Sequence, residues 1–382
     1  MYPRGGRVNG QGWWETTVRR SRVRGCLLAG AVGDALGGPV EFQSLGAIRR
    51  AYGDRGVTGP VPDADGVVGR ITDDTQMTLF TVEGLIRAHV RAVTKGIGGG
   101  ETACVAHAYR RWLDTQNYPS PPARGGADLV RTGRLRTLPW LYARRAPGNA
   151  CLTGVAAGHV PPPRGPLAVG PVNPQSKGCG TVMRSAPFGL TGRPVPDAFE
   201  LAAHCAQITH GHPTAALASG AFAAIVAHLA EGESAEGAVL RAMDLLRRHP
   251  GHEETTAALR AAVDLAGEGR PSPERVESLG AAWIAEETLA IAVYCLLAHP
   301  SAPVEALLLS VNHSGDSDST GAVCGNLLGA RYGDAWLPPE WLTRTEGRRV
   351  VAELADDLSL QFEHGEIGPG VPVHSYERYP AS

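Results

Sequence analysis

The sequence predicts an all-α fold: one compact domain of many packed helices. Apolar and small residues recur at helical spacing along most of the 382 residues. Alternating runs rich in Val, Ile and Thr are scarce, so no β-sheet is expected. Many Ala and Gly residues lie within the helical patterns, and their small size lets neighbouring helices approach closely. These observations favour a multi-layer helical bundle.

The helical pattern recurs from the first fifth of the chain almost to its end. One face collects Val23, Cys26, Leu27, Gly30, Ala31 and Asp34, at i, i+3, i+4, i+7, i+8 and i+11. The same spacing predicts helices at or near 79–89, 101–115, 197–208, 217–228, 234–248, 253–267, 289–296, 303–312, 319–331 and 345–363. The apolar stretch 215–230 includes Ser219 and His228 and is short for a bilayer span. We therefore expect a buried helix there and no membrane partner.

One irregular stretch interrupts the helices. Residues 159–175 contain six prolines, and proline fixes φ and removes an N–H donor, so this segment is not a regular helix. It is either a linker or a structured loop that leads into a site, and similar helical patterns on both sides favour the loop. We expect one domain over 21–363, a peripheral N-terminal segment over 1–20 and a C-terminal tail over 364–382.

Charge and cysteine content argue against several functional classes. The 36 Lys and Arg residues nearly balance the 38 Asp and Glu residues, and a net charge of −2 gives no strong signal for nucleic-acid or anionic-membrane binding. Seven cysteines without a CxxC pair are typical of reduced, buried thiols. The N-terminus has no apolar signal core, so a cytoplasmic location is expected.

The first of two acidic clusters is Thr72-Asp73-Asp74-Thr75, directly before an apolar helical pattern. Thr and Asp are good N-cap residues, and the helix dipole favours carboxylates in a first turn, so capping is one explanation. Two adjacent carboxylates and a hydroxyl are also the oxygen ligands that suit Mg²⁺ or Mn²⁺.

The second cluster, Asp316-Ser317-Asp318-Ser319-Thr320, also opens an apolar helix. One Asp is enough to cap the helix, and the further charge is repelled unless a cation lies between the carboxylates. Neither cluster has Cys or His at metal-ligand spacing, which argues against zinc. Because the two helix starts make little sense apart, we predict that Asp73, Asp74, Asp316 and Asp318 converge on one metal centre.

Three weaker signals accompany the clusters. Glu41 follows a glycine-rich helix end and is either a solvated loop carboxylate or a site residue. The run 177–184 contains a Gly-x-Gly turn whose N–H groups can approach an anion, although it matches neither a Walker loop nor a Rossmann fingerprint. His210 lies at the junction of two predicted helices, where a histidine is either structural or ligand-facing.

Five segments in this order resemble the ADP-ribosylglycohydrolase family over about residues 21–363. They are GCLLAGAVGDALGGPVEF, TDDTQMTLF, KGCGTVMRSAPFGL, ITHGHPTAALASGA and NHSGDSDSTGAVCGNLLGARYG. The resemblance implies an all-α, single-domain fold with a cleft that holds two Mg²⁺ or Mn²⁺ ions. It also implies a hydrolase that cleaves the glycosidic bond between ADP-ribose and a modified target and releases ADP-ribose.

The resemblance further implies roles for individual residues. Metal ligands are expected at Thr72, Asp73, Asp74, Asp316, Asp318 and Ser319, with Asp318 bridging the ions. Glu41 and Asp316 are the expected catalytic residues. Contacts to ADP-ribose are expected from Gly178, Cys179, Gly180, Thr181, Met183, Arg184 and His210. The chain has Ser319 where the family often has Thr, which keeps the hydroxyl, and Cys179 where many members have Asn.

The chemistry of these residues agrees with the resemblance. Cleavage at the anomeric carbon of ribose builds up oxocarbenium character, and divalent ions held by carboxylates can orient the sugar and activate water. Glu41 is expected to act as acid/base or positioning group. The Gly178–Thr181 turn, helped by Arg184, is expected to meet the pyrophosphate.

Three alternatives remain open. A phosphohydrolase of the haloacid dehalogenase type, with Asp316 as nucleophile, needs a preceding strand, whereas residues 304–311 fit a helix. A catalytically silent ADP-ribose-binding protein on the same fold is the second. The third is the same hydrolysis on serine-linked, nucleic-acid-linked or O-acetyl ADP-ribose. We expect an ADP-ribosylated arginine of a protein substrate as the target, and a monomeric enzyme.

Overall fold

The structure is a computed structural model that describes residues 10–125, 128, 130–362 and 378–381, and for 10–14 it describes the backbone alone. These residues form sixteen α-helices and contain isolated β-bridges but no β-strand. The helices are α1 Gly10–Gly37, α2 Leu45–Tyr52, α3 Asp73–Lys95, α4 Glu101–Asn117, α5 Asn149–Ala157, α6 Ala186–Gly189, α7 Val195–Ala206, α8 Pro213–Ala230, α9 Ala235–Leu246, α10 Glu253–Ala266, α11 Pro273–Glu277, α12 Ala285–Ala298, α13 Pro303–Val311, α14 Ser317–Tyr332, α15 Pro339–Arg344 and α16 Arg348–Phe362. Short 3₁₀ helices lie at Gly38–Val40, Leu135–Thr137, Pro139–Leu141 and Cys179–Thr181.

The predicted all-α fold is confirmed. One connected hydrophobic core joins buried residues from α1 through to α16. Helix α8 lies deep in this core: by length and composition alone it could cross a membrane, but 89% of it is buried inside the protein. That burial is the pattern of a core helix, as expected for 215–230.

Helices α1 and α14 lie antiparallel with their backbones in direct contact. A Cβ placed on Gly25 would lie 2.2 Å from the carbonyl oxygen of Gly333, and one placed on Gly37 would lie 2.1 Å from that of Ser317. Because no side chain fits at such distances, the glycines set the separation of the two helices. The contact brings the C-terminal end of α1 to the N-terminal end of α14.

The observed elements differ from the predicted ones mainly where they are short. Helices α2, α5, α11 and α15 have only five to nine residues, too few for a clear periodic pattern. Helix α1 begins at Gly10, inside the segment expected to be peripheral.

Two residues near the chain ends also pack more closely on the domain than expected. Arg19 donates hydrogen bonds to Glu231 at 2.8 Å and to the carbonyl of Leu190 at 3.0 Å. Near the C-terminus, Tyr379 is buried, and its hydroxyl donates to Asp357 at 2.5 Å. These parts of 1–20 and 364–382 are therefore attached to the domain; residues 1–9, 364–377 and 382 lie outside the described residues.

The proline-rich segment 159–175 is an irregular loop attached to the rest of the domain. The Gln207 amide donates to the carbonyl of Ala168 at 2.6 Å, and the Gly170 N–H donates to the carbonyl of Gly211 at 2.8 Å. The Asn173 amide donates to the carbonyl of Thr209 at 2.8 Å. These bonds fix the loop against the connection between α7 and α8, so it is not a free linker.

Candidate metal centre

The first acidic cluster lies at the N-terminal end of α3. Thr72 is the N-cap residue, and its hydroxyl accepts a hydrogen bond from the Asp74 N–H at 3.3 Å. The Asp73 N–H donates to the carbonyl of Arg145 at 3.2 Å. The Thr72 hydroxyl therefore caps the helix, and the carboxyl groups of Asp73 and Asp74 are buried for another reason.

The second cluster forms the N-terminal end of α14. Asp316 is the N-cap residue, and its Oδ1 accepts a hydrogen bond from the Ser319 N–H at 3.3 Å. The same N–H donates to Oδ1 of Asp318 at 3.0 Å. All three side chains are buried. Two carboxylates thus share one backbone donor, which leaves most of their oxygen lone pairs for other partners.

Glu41 meets this cluster from the end of α1. It follows the 3₁₀ helix Gly38–Val40, and its N–H donates to the carbonyl of Gly37 at 2.9 Å. One carboxylate oxygen from each of Glu41, Asp316 and Asp318 lies within 4.8 Å of the other two. Three carboxyl groups this close repel one another unless protons or cations neutralise them.

Burial and mutual repulsion raise the pKa of the clustered acids. For Glu41 they raise the pKa to about 10, with burial the main cause and the charges of Asp318 and Asp316 next. Burial and then the charge of Asp318 also hold the pKa of Asp73, Asp74 and Asp316 well above the usual value. A Cβ placed on Gly37 would lie 2.5 Å from the backbone nitrogen of Asp318, and one placed on Gly38 would lie 3.2 Å from Cγ2 of Thr72. The end of α1 therefore lies against the starts of both α14 and α3.

Asp34 is a further buried carboxylate at this site, and no sequence motif predicted its role. It is fully buried on α1 and accepts hydrogen bonds from the Thr72 N–H at 2.9 and 3.0 Å, from the Thr75 N–H at 3.1 Å and from the Thr75 hydroxyl. Burial and the charge of Asp318 raise its pKa to about 7. Asp34 therefore fastens the start of α3 to α1. The available signal was a single Asp on the otherwise apolar and small-residue face of α1.

The donor set fits hard divalent cations. The residues predicted as ligands supply carboxylate and hydroxyl oxygens, and all six are buried, namely Thr72, Asp73, Asp74, Asp316, Asp318 and Ser319. Oδ2 of Asp74 is buried and has no hydrogen-bond partner within the described protein, an unfavourable state unless a ligand satisfies it. Mg²⁺ and Mn²⁺ take oxygen ligands of this kind. The residues present are therefore chemically suited to hold such ions.

The glycine turn begins beside the centre. Gly178 precedes the 3₁₀ helix Cys179–Thr181, and the thiol of Cys179 donates a hydrogen bond to Oδ2 of Asp316 at 2.8 Å. Burial and the charge of Asp316 raise the pKa of that thiol well above its usual value. The Cys179 N–H donates to the carbonyl of Trp283 at 3.2 Å. This N–H is therefore already engaged, which differs from the prediction that it meets a pyrophosphate.

Arg184 does not face a cleft. Its side chain is 1% exposed, and its guanidinium donates to the Thr209 hydroxyl at 2.6 Å and lies 4.5 Å from the centre of the Tyr109 ring. The prediction that Arg184 meets the pyrophosphate is wrong for this structure, because the guanidinium is held inside the core. Its positive charge lowers the pKa of Asp73, against the larger effects of burial and of the charge of Asp318.

His210 and the remaining residues of the turn are also buried. Nδ1 of His210 lies 2.7 Å from the Thr209 hydroxyl, and burial followed by the charge of Arg184 lowers its pKa to about 3. A Cβ placed on Gly178 would lie 3.2 Å from Nε2 of His210. The neutral imidazole therefore packs directly against the backbone of the glycine turn. Gly180, Thr181 and Met183 are buried beside it, whereas Gly178 and Cys179 are partly exposed.

Residues 15–367 match the sequence model of the ADP-ribosylglycohydrolase family. The chain is 28% identical over 335 residues to the ADP-ribosyl-[dinitrogen reductase] glycohydrolase of Rhodospirillum rubrum. This match covers 85% of this chain and 90% of that protein. The chain is 26% identical over 379 residues to ADP-ribosylhydrolase ARH3 of Mus musculus, covering 90% and 92% respectively. It is 27% identical over 340 residues to ADP-ribosylarginine hydrolase Tri1 of Pseudomonas putida (strain GB-1), covering 88% and 77%.

One solved structure agrees with the fold. A chain described as an ADP-ribosylglycohydrolase-related protein complex superposes with a TM-score of 0.62 at 24% identity, covering 90% of this chain and 99% of its own length. At this level of identity the similarity concerns the fold alone, and it supports the all-α domain described above.

Proposed function

The chain belongs to the ADP-ribosylglycohydrolase family, and on this premise we propose that it hydrolyses the N-glycosidic bond between ADP-ribose and an arginine side chain of a protein, with two Mg²⁺ or Mn²⁺ ions as cofactors. An ADP-ribosyl hydrolase activity follows from the family itself. The arginine linkage, the ions and the residue roles are the proposal.

The observation that carries the proposal is the convergence of Glu41, Asp316 and Asp318 within 4.8 Å, at the end of α1, where Gly37 and Gly38 approach the starts of α14 and α3. Carboxyl groups this crowded raise one another's pKa and cost stability, so a purely structural role is a poor explanation. The unpartnered Oδ2 of Asp74 supports the same conclusion.

Thr72, Asp73, Asp74, Asp316, Asp318 and Ser319 are the residues that would hold the ions. When bound, divalent ions of this kind orient sugar hydroxyls, stabilise developing charge and lower the pKa of water. Asp34 has a supporting part: through its bonds to the N–H groups of Thr72 and Thr75 it keeps the first turn of α3 in register with α1.

Glu41 is proposed to exchange a proton with the leaving nitrogen through its carboxyl oxygens. Its raised pKa, about 10 without cations, keeps the carboxyl protonated, and bound cations would lower that pKa toward the working range of a general acid. Asp316 is proposed as the second catalytic carboxylate. The Ser319 N–H and the Cys179 thiol hold its two oxygens in a fixed orientation.

The proposed arginine linkage draws on the relatives. One of them is named an ADP-ribosylarginine hydrolase. ADP-ribose itself is proposed to lie across the glycine turn, where Gly178 and Cys179 remain partly exposed next to Asp316. We propose contact with the exposed side of the turn, and assign Arg184 and His210 to its support.

The test is to incubate the metal-free protein with arginine-, serine- and nucleic-acid-linked ADP-ribose and with O-acetyl-ADP-ribose, each with and without Mg²⁺ or Mn²⁺. We expect release of free ADP-ribose from the arginine conjugate only when a divalent ion is present. Metal-independent release would contradict the role of the acidic cluster. Release only from another conjugate would contradict the arginine linkage, and metal binding without any release would indicate a silent binding protein.

A further inference from the structure

Two exposed aromatic rings stack at the edge of the metal centre. Phe42 and Trp283 are 71% and 41% exposed, and their ring centroids lie 5.2 Å apart with an interplanar angle of 22°. Phe42 directly follows Glu41, whose carboxylate lies within 4.8 Å of Asp316 and Asp318. Large aromatic side chains left in water beside a buried acidic site call for an explanation, because burying them would stabilise the fold.

The backbone has an unfavourable conformation at or next to each of the two rings. Phe42 has a φ of 65°, and Ala282, which precedes Trp283, has a φ of 64°. Residues with side chains rarely adopt this left-handed conformation, and it costs about 1–2 kcal/mol unless the surroundings enforce it. A strained residue therefore carries or adjoins each ring, an arrangement more typical of functional sites than of ordinary loops.

The segment around Trp283 is clamped to the site. The Glu287 carboxylate accepts hydrogen bonds from the N–H groups of Ala281 and Ala282 at 3.0 and 3.1 Å. The carbonyl of Ala281 accepts from the Asp316 N–H at 3.0 Å, and that of Trp283 accepts from the Cys179 N–H at 3.2 Å. The Trp283 backbone is thus fixed between a proposed metal ligand and the glycine turn.

From this geometry we infer that the Phe42–Trp283 pair binds the guanidinium of the target arginine, the group that leaves when the glycosidic bond breaks. The inference rests on the proposed function and adds its target-side recognition site. Glu41 is the proposed proton donor to the leaving nitrogen, and the exposed ring of Phe42 follows it directly at the edge of the same site. The flat face of an aromatic ring attracts a planar cation.

The charge of the leaving group distinguishes the arginine linkage from the other linkages. An arginine remains a cation after ribosylation of its guanidinium, whereas serine-linked and O-acetyl ADP-ribose carry no charge on the leaving group. The exposed faces of the Phe42 and Trp283 rings attract a cation but offer no such contact to a neutral leaving group. The ring pair would therefore favour the arginine linkage over neutral ones.

The test uses Phe42→Leu and Trp283→Leu, which remove a ring and keep an apolar side chain. With an ADP-ribosylarginine peptide, each variant is expected to raise KM about 5- to 30-fold, the range of a cation–π contact with a partly desolvated guanidinium. The kcat value, the affinity for free ADP-ribose by calorimetry and the Mg²⁺-dependent rise in Tm should stay near wild type. Trp283→Phe keeps a ring and should restore most of the affinity. Tyr118→Leu is the matched control, since Tyr118 is an aromatic residue of similar exposure, 43%, and should change nothing.

Three results overturn the inference. An unchanged KM for the arginine peptide in both Leu variants shows that the ring pair does not bind the arginine. An equal loss of affinity for free ADP-ribose shows that the rings hold the nucleotide, and an equal loss with a serine-linked peptide shows an unspecific apolar contact.

Failure of the proposed function gives a different result, because wild-type protein would then release no ADP-ribose from the arginine peptide. Calorimetric titration of that peptide into the metal-loaded protein needs no turnover and tests the inference even in that case. Binding that is absent, or that Trp283→Leu leaves unchanged, excludes the ring pair as the guanidinium site.

Discussion

A Cβ built on Gly33 would lie 2.0 Å from the carbonyl oxygen of Gly321, which means that α1 and α14 touch backbone to backbone one turn away from the metal centre. Asp34 follows Gly33 directly, and Asp318 lies three residues before Gly321. The acids supplied by the two helices are therefore positioned by a glycine contact as much as by their own hydrogen bonds.

Replacing Gly33 by Ala should destabilise the protein by about 1–3 kcal/mol, because the added methyl group must push the two backbones apart. Alanine is the better helix former by about 1 kcal/mol, so the sign of the effect reports the steric contact. The measurement is thermal or urea unfolding without divalent ions. The matched control is Gly46→Ala on α2, where the new Cβ would meet only the end of the Arg50 side chain at 3.6 Å. An unfolding free energy for Gly33→Ala equal to or above that of wild type would contradict the close approach.

Asp318→Ala should abolish turnover while leaving the metal-free protein at least as stable as wild type. Asp318 contributes repulsion to Asp34, Glu41, Asp73, Asp74 and Asp316, and its removal relieves that repulsion. In wild type, Mg²⁺ at about a hundred times its Kd should add about 2.7 kcal/mol of stability by binding only the folded state. The variant should lose that rise in Tm. If the variant keeps both full activity and the metal-dependent rise in Tm, Asp318 is not part of the metal site.

Glu41→Gln should lower kcat by about 10²–10⁴-fold while ADP-ribose still binds. The amide keeps the size and hydrogen bonding of the carboxyl but cannot exchange the proton, and general acid–base contributions are of this magnitude. Single-turnover release of ADP-ribose gives the rate, and calorimetry gives the affinity. If kcat is unchanged and ADP-ribose binding weakens, Glu41 is a binding residue instead.

The metal-free protein should lose stability as pH rises. The pKa is raised in the folded state to about 7 for Asp34 and about 10 for Glu41, from ordinary values of 3.8 and 4.5. The folded protein therefore binds more protons than the unfolded chain between about pH 4 and 10. The stability that these two protonated groups contribute is complete below about pH 4, and it is lost as the pH rises through 7 and on toward 10. Tm measured against pH in a chelator should fall over this window, and saturating Mg²⁺ should flatten the fall. Asp34→Asn, which cannot ionise, should reduce the slope up to about pH 7; an unchanged slope would show that other groups control it.

Much of the site could be predicted because its acids lie next to one another in sequence. Asp73 with Asp74, and Asp316 with Asp318, exceed what a helix cap needs, and that excess is visible without a structure. The burial of individual side chains could not be predicted in the same way. Arg184 belongs to the motif that forms the glycine turn, but its guanidinium points into the core, where it contacts Tyr109 and Thr209.

The contributions of Asp34 and the aromatic pair depend on contacts across long stretches of chain. Asp34 lies 38 residues from Thr72, its partner at the start of α3. Phe42 and Trp283 belong to loops that are distant in sequence, and the Trp283 loop is held in place by hydrogen bonds to Glu287, Asp316 and Cys179. The helical periodicity that predicts the fold says nothing about loop residues of this kind, so neither relationship was accessible from the pattern alone.

Cys179 should give the centre a response to soft metals that an Asn at this position would not. Its Sγ lies 2.8 Å from Oδ2 of Asp316, so a cation bound by that carboxylate is within reach of the sulfur. Mg²⁺ has little affinity for thiols, whereas Cd²⁺ and Zn²⁺ bind thiolate and would displace the thiol proton. Titrating the metal-free protein with Cd²⁺ should produce the ultraviolet charge-transfer band of a cadmium–thiolate bond and should block the Mg²⁺-dependent rise in Tm. Cys179→Ser should lose the band and keep the Mg²⁺ response, whereas Cys104→Ser, at a buried cysteine on α4, should keep both. A band of undiminished intensity in Cys179→Ser would place the cadmium on another cysteine.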